Sequence, residues 1–168
     1  MDFVAFDTLT AAQLDDIVEN VEALAAGTGL NDGVVTPDKI ATGAGKVRVN
    51  GDESRSNVAY GALATAQAVT VTIGANGLAL VSTSVRFFMS SASDIGYLSF
   101  AVSGANTIAV SDDNSIISRA HTTGTNGLFG RTILLTGLTP GSTTFTVQVR
   151  NSTGTLTCSS REISVVPL

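Results

Sequence analysis

The chain reads as a mainly β protein: an antiparallel β-sandwich, with a jelly roll among the arrangements it admits, preceded by a short N-terminal α-helix and an extended arm. Three observations predict this. From Ala66 onward apolar residues alternate with Thr and Ser at period two, the rhythm of strands with one buried face. Glycine supplies 17 residues and proline 3, while 43% are hydrophobic, which suits sheets joined by tight turns and excludes collagen and disorder. Near the start, Leu14, Ile17, Val21 and Leu24 are spaced at intervals of three, four and three, a seam that packs helix on helix. The expected division is residues 1–45 as helix and anchoring or oligomerisation arm, 46–65 as linker or first strand, and 66–168 as the sandwich.

The helix has a recognisable start. Thr10 can cap it, Gln13 completes a capping box, and Leu9 with Leu14 forms the hydrophobic staple. Asp15 and Asp16 sit in the first turns, where the helix dipole favours negative charge. The run passes through Ala25 and Ala26 and is expected to stop at Gly27. A helix of about fourteen residues is marginal alone in water, so its apolar side needs cover, either from its own β domain or from sister chains. Sister chains are the favoured reading. Val18 and Ala25 widen the stripe beyond a two-helix seam, which suits three helices meeting or a helix laid on a protein surface. In the arm that follows, Val35 and Ile40 stand in a Gly-rich thread too sparse to build a core. The expected inter-chain interface is therefore Leu14, Ile17, Val18, Val21, Leu24, Val35 and Ile40.

Strands follow in order. Val69, Val71 and Ile73 alternate with threonines, and Gly74–Gly77 turns the chain. The next strand starts at Leu78 and runs to Met89, with Val85, Phe87 and Met89 on one face and Arg86 and Phe88 on the other. Phe88 is expected to meet a partner or a second core. Leu98, Phe100 and Val102 mark another strand, Ile108 and Val110 a further candidate, and Asp112–Asn114 a loop before Ile116 and Ile117. Thr132–Leu135 leads into the turn Gly137-Leu138-Thr139-Pro140-Gly141. Phe145, Val147 and Val149 then alternate with polar residues, Asn151–Gly154 closes a hairpin, and Leu156–Cys158 and Ile163–Val165 finish the count at roughly eight strands.

Charge is uneven. Residues 1–53 carry ten acids against three bases, a net −7, and the remainder carries +2. An acidic arm argues against nucleic acid and anionic membrane as partners. No run approaches the roughly 18–20 apolar residues of a membrane-spanning helix, so no membrane insertion is expected.

Little in the chain points to chemistry. His121 is the single histidine and reads as a loop residue; Cys158 is the single cysteine and reads as a small buried hydrophobe. Asp112-Asp113-Asn114-Ser115 offers oxygens, but calcium takes six to eight and an Asx turn explains the cluster equally well. Asp94, near Tyr97, would join it only if folding brought the loops together. No phosphate loop ends in Gly-Lys-Ser/Thr, and no serine has a nucleophile's context. With Tyr60 and Tyr97 as the only tyrosines and no tryptophan, a stacking platform for sugars is thinly supplied. The expectation is a non-enzymatic protein without cofactor or metal.

Two stretches carry a resemblance. Leu9 through Leu24, Gly27, Gly29-Leu30 and Gly33-Val34-Val35-Thr36-Pro37-Asp38-Lys39-Ile40 resemble the N-terminal part of tailed-bacteriophage fibre and minor virion proteins, head decorations and short tail fibres among them. Trimeric stalks of those proteins repeat units of the type Val/Ile-Thr-x-x-Lys-Leu/Ile-Ala-x-Gly-Ala. This chain has one, Val35 to Ala44, which suggests a short fibre, spike or capsid decoration rather than a long fibre. Leu135–Arg150 with Arg161–Leu168 is similar to their C-terminal β domains. The resemblance implies a homotrimer on the virion surface, assembled in the host cytoplasm and joined to other structural proteins of the capsid or tail. The alternative is a receptor- or glycan-binding module at a tail tip, with a host-surface ligand.

Overall fold

A computed structural model of the chain describes residues 43–124 and 126–168. The expected helix, the arm up to residue 42 and all seven interface residues from Leu14 to Ile40 lie outside the described residues.

Among the described residues nine strands follow one another: β1 (Gly45–Val49), β2 (Glu53–Arg55), β3 (Ala68–Ile73), β4 (Ala79–Met89), β5 (Ile95–Gly104), β6 (Ile116–Arg119), β7 (Asn126–Leu135), β8 (Gly141–Asn151) and β9 (Leu156–Pro167). They form two antiparallel sheets. One has the order β1-β9-β4-β7, with β2 also on β9; the other has the order β3-β8-β5-β6. The pairing is nested. β1 lies on β9, β3 on β8, β4 on β7 and β5 on β6, so the chain runs as one long hairpin that folds across two layers. The pairs β4–β9 and β5–β8 then join the ribbon's turns within each sheet.

Period-two patterning places the core between the layers. Val69, Val71 and Ile73 of β3 and Phe145, Val147 and Val149 of β8 face Val81, Val85 and Phe87 of β4 and Ile163 and Val165 of β9, all nearly inaccessible. Phe100 and Phe145 meet with ring centroids 6.0 Å apart, and Phe87 meets Phe129 at 5.9 Å. Where β1 passes β3, a side chain at Gly45 would come within 2.3 Å of Val69 Cγ1, so a glycine lets the two layers close there.

The turn before β4 depends on Gly77. Its φ is +62°, its carbonyl accepts from Leu138 N at 3.0 Å, and an added Cβ would lie 2.5 Å from the Leu138 carbonyl oxygen. Gly77→Val combines a left-handed backbone with a clash against main chain. It is expected to cost at least about 2 kcal/mol, read as a lowered midpoint in thermal unfolding.

Several boundaries differ from the sequence reading. The stretch 46–65 contains two strands of the first sheet. Ile108 makes an isolated bridge to Val102 and no strand of its own. β7 starts six residues before Thr132. Leu156–Cys158 and Ile163–Val165 belong to one twelve-residue strand, β9. A bulge explains that last case. Ser84 of β4 opposes Glu162 while Arg86 opposes Ser159, so Val85 faces both Ser160 and Arg161, and Ser160 adopts φ +47°. The extra residue switches which alternate positions point inward, from Leu156 and Cys158 to Arg161, Ile163 and Val165. It thereby buries an arginine.

Candidate functional site

The residues singled out for chemistry are held by structural contacts. Arg150 of β8 clamps the Asp112 carboxylate with two donors, Nε to Oδ1 at 3.1 Å and Nη2 to Oδ2 at 2.6 Å. The Tyr60 hydroxyl donates to the same Oδ1 at 2.8 Å. These bonds, Arg150's first, hold the Asp112 carboxyl below the usual carboxylate range. Burial pushes the Tyr60 hydroxyl up to about 12. The guanidinium also lies 3.5 Å from the centroid of the Tyr97 ring and 5.3 Å from that of Tyr60. Arg150 occupies the Tyr97 face that a sugar would need. Asp94 is fully buried and accepts from Ser152 Oγ at 3.1 Å and Thr153 N at 2.9 Å, tying the β8–β9 hairpin to β5. It shares no partner with Asp112. Among the described residues, no cluster of three or more His, Cys, Asp or Glu side chains is placed to hold a metal.

Cys158 is wholly buried, and burial raises its thiol to about 12. A buried, protonated thiol is inert. Maleimide is expected to leave Cys158 unlabelled in the native protein and to label it fully in denaturant, as read by mass spectrometry. His121 is exposed in the loop after β6. The described residues form an antiparallel β-sandwich.

A different surface has the geometry of a binding site: the outer face of the β1-β9-β4-β7 sheet. β4 presents Arg86 and Phe88 there, two residues apart on the same side, and Phe88 is 44% exposed. Beside them is a shallow depression of about 390 Å³ lined by Asp52, Arg86, Phe88, Asn126, Thr157 and Ser159. A second, of about 430 Å³, shares Arg86 and adds Arg48, Leu128, Ser160 and Glu162 among its walls. The β9 bulge contributes here too, because Ser159 and Ser160 line the two neighbouring hollows in succession. Glu162 is engaged with Lys46 at 3.1 Å and Arg48 at 4.0 Å. Phe88, expected to meet a partner or a second core, has no second core behind it among the described residues. Sequence reasoning placed Arg86 and Phe88 together but missed Asp52, Asn126, Thr157 and Ser159, which reach them from other segments of the sheet.

No protein-family model and no curated protein matches the sequence. Solved structures do match. Eiger TNF from S. frugiperda is 16% identical over 74% of this chain and 91% of its own, with a TM-score of 0.51. The VP2 subviral particle of infectious bursal disease virus is 13% identical over 74% of this chain, with a TM-score of 0.50. This chain spans about a third of VP2, 32% of its length. What is shared is the β-sandwich fold. Among the described residues no helix is long and apolar enough to cross a membrane.

Proposed function

We propose that this is a structural protein of a virion, a short homotrimeric fibre, spike or capsid decoration. In this reading residues 1–45 anchor it to other capsid or tail proteins, and the sandwich is displayed at the particle surface. The observation that carries the reading is the nested pairing of β1 with β9, β3 with β8, β4 with β7 and β5 with β6 across two four-stranded paths. Such nesting supports a jelly-roll arrangement, an architecture used by viral capsid and lectin domains. The likeness of the arm to phage virion proteins supports the same role, and so does its acidic, apolar-striped sequence.

The test is the oligomeric state of the full chain. Light scattering at micromolar concentration is expected to give the mass of three copies. Val21→Asp sets three carboxylates on one apolar axis, and it is expected to reduce that mass to one copy with the β-sheet circular dichroism retained. A monomeric wild type, or a V21D protein that still forms the trimer, overturns the reading. A second reading, a receptor- or glycan-binding module at a tail tip, is favoured by the depression at Arg86 and Phe88.

A further inference from the structure

We propose that the depression beside Arg86 and Phe88 binds a carboxylated sugar, the uronic-acid type of residue that ends an acidic glycan. The inference rests on the second reading above and gives that reading its ligand class. Arg86 is the starting point. It is exposed, and no hydrogen bond or ion pair engages it among the described residues, whereas Arg48, Arg55, Arg131, Arg150 and Arg161 each hold a carbonyl, a side-chain oxygen or a carboxylate. The nearby Glu162 carboxylate does not neutralise it, being engaged with Lys46 and Arg48. A free guanidinium is a fork matched to one carboxylate, donating to both oxygens side by side. A single such fork, rather than a basic cluster, fits a singly charged ligand.

The surroundings fit the rest of a pyranose. Phe88 offers an exposed aromatic surface two residues from Arg86 for the apolar C–H side of the ring. Asn126 and Ser159 supply an amide and a hydroxyl, Thr157 adds a hydroxyl already paired with Ser54 Oγ at 2.7 Å, and Asp52 supplies acceptors for ring hydroxyls. At about 390 Å³ the depression falls in the size range of small-ligand sites, about 300–1,000 Å³. Most of these groups stand on paired strands: Phe88 opposes Asn126 of β7 and Thr157 of β9, and Arg86 opposes Ser159. Their spacing is therefore set by sheet register before any ligand arrives. One shallow site binds weakly. Three copies in one assembly would multiply it through effective concentration.

The experiment compares D-glucuronate with D-glucose, which differ at the carboxylate, by saturation-transfer difference NMR on the full-length protein. Glucuronate is expected to show transfer to its ring protons, with a dissociation constant in the millimolar range, and glucose about tenfold weaker binding, the loss expected for one charge-assisted contact. Arg86→Gln should bring glucuronate down to the glucose level. Phe88→Ala should weaken both sugars, and Arg119→Gln, an exposed arginine on β6, should change neither. Absence of glucuronate binding, equal binding of glucose, or an R86Q protein that binds glucuronate like wild type overturns the proposal. Glucuronate binding by a protein that scatters light as a monomer would sink the trimeric reading and leave this site standing.

Discussion

Glu53→Gln is expected to destabilise the protein by about 3–5 kcal/mol, the cost of leaving a buried charge without its counter-ion. Arg161 is 1% exposed within the sandwich. Its Nη2 forms an ion pair with Glu53 Oε1 at 3.4 Å, and its Nη1 donates to the Cys158 carbonyl at 3.2 Å. Glu53 in turn accepts from Thr65 N at 3.2 and 3.0 Å. Gln keeps the shape and removes the charge, so the guanidinium remains desolvated and unpaired. The double variant Glu53→Gln with Arg161→Met is expected to recover most of the loss, since an apolar side chain of similar length needs no partner there. Urea midpoints for the three variants and the wild type decide the matter. An E53Q protein as stable as wild type would show that the pair contributes nothing.

The same pair sets an acid limit. Hydrogen bonds from Thr65, with the Arg161 charge as a smaller cause, hold the Glu53 carboxyl below its ordinary value of 4.5. A carboxyl depressed in the folded state stabilises that state fully above its unfolded pKa, and the contribution is lost as pH falls through the folded one. Asp112, lowered by Arg150, acts in the same direction. Stability is therefore expected to be flat from neutral to mildly acidic pH and to decline below about pH 4.5, with a shallower decline in E53Q.

Phe145→Ala is expected to cost about 3–5 kcal/mol, from lost burial and the cavity left behind. Phe145 is wholly buried on β8, between Val69 of β3 and Val102 of β5, with its ring against Phe100. Phe88→Ala removes the same groups from the outer face of β4 and is expected to stay within about 0.5 kcal/mol. The pair of substitutions separates position from residue type, with the change in denaturation midpoint as the common measure. A small loss at Phe145 would mean that the core closes around the gap.

Much of the sandwich was legible because alternation survives wherever one face is buried. Val69-Thr70-Val71-Thr72-Ile73 and Phe145–Val149 announce their strands and their inward residues without help. The signal fails where the backbone departs from simple pleating. β9 looked like two pieces because the bulge at Ser160 changes the parity of its buried positions. The first half of β7, Asn126-Gly127-Leu128-Phe129-Gly130-Arg131, leaves Leu128 70% exposed at the sheet edge, so no apolar alternation marks it. The candidate site shows the same division. Arg86 and Phe88 share a face by local spacing alone. Asn126 and Thr157 reach them only through pairings some forty and seventy positions along the chain, which no local pattern encodes.

The partnership of β1 with β9 also sets a schedule for folding. Gly45 meets Val165 and Val49 meets Arg161, so the first described strand waits for β9, more than a hundred residues on, to leave the ribosome before it finds its neighbour. Such distant contacts require large loops to close before any reward arrives, which places folding in the slow regime of roughly milliseconds to seconds. During synthesis β3 and β4 stand with unsatisfied edges while β8 and β7 are still being made. A nascent population crowded on one messenger would be most exposed to mispairing between neighbours in that interval.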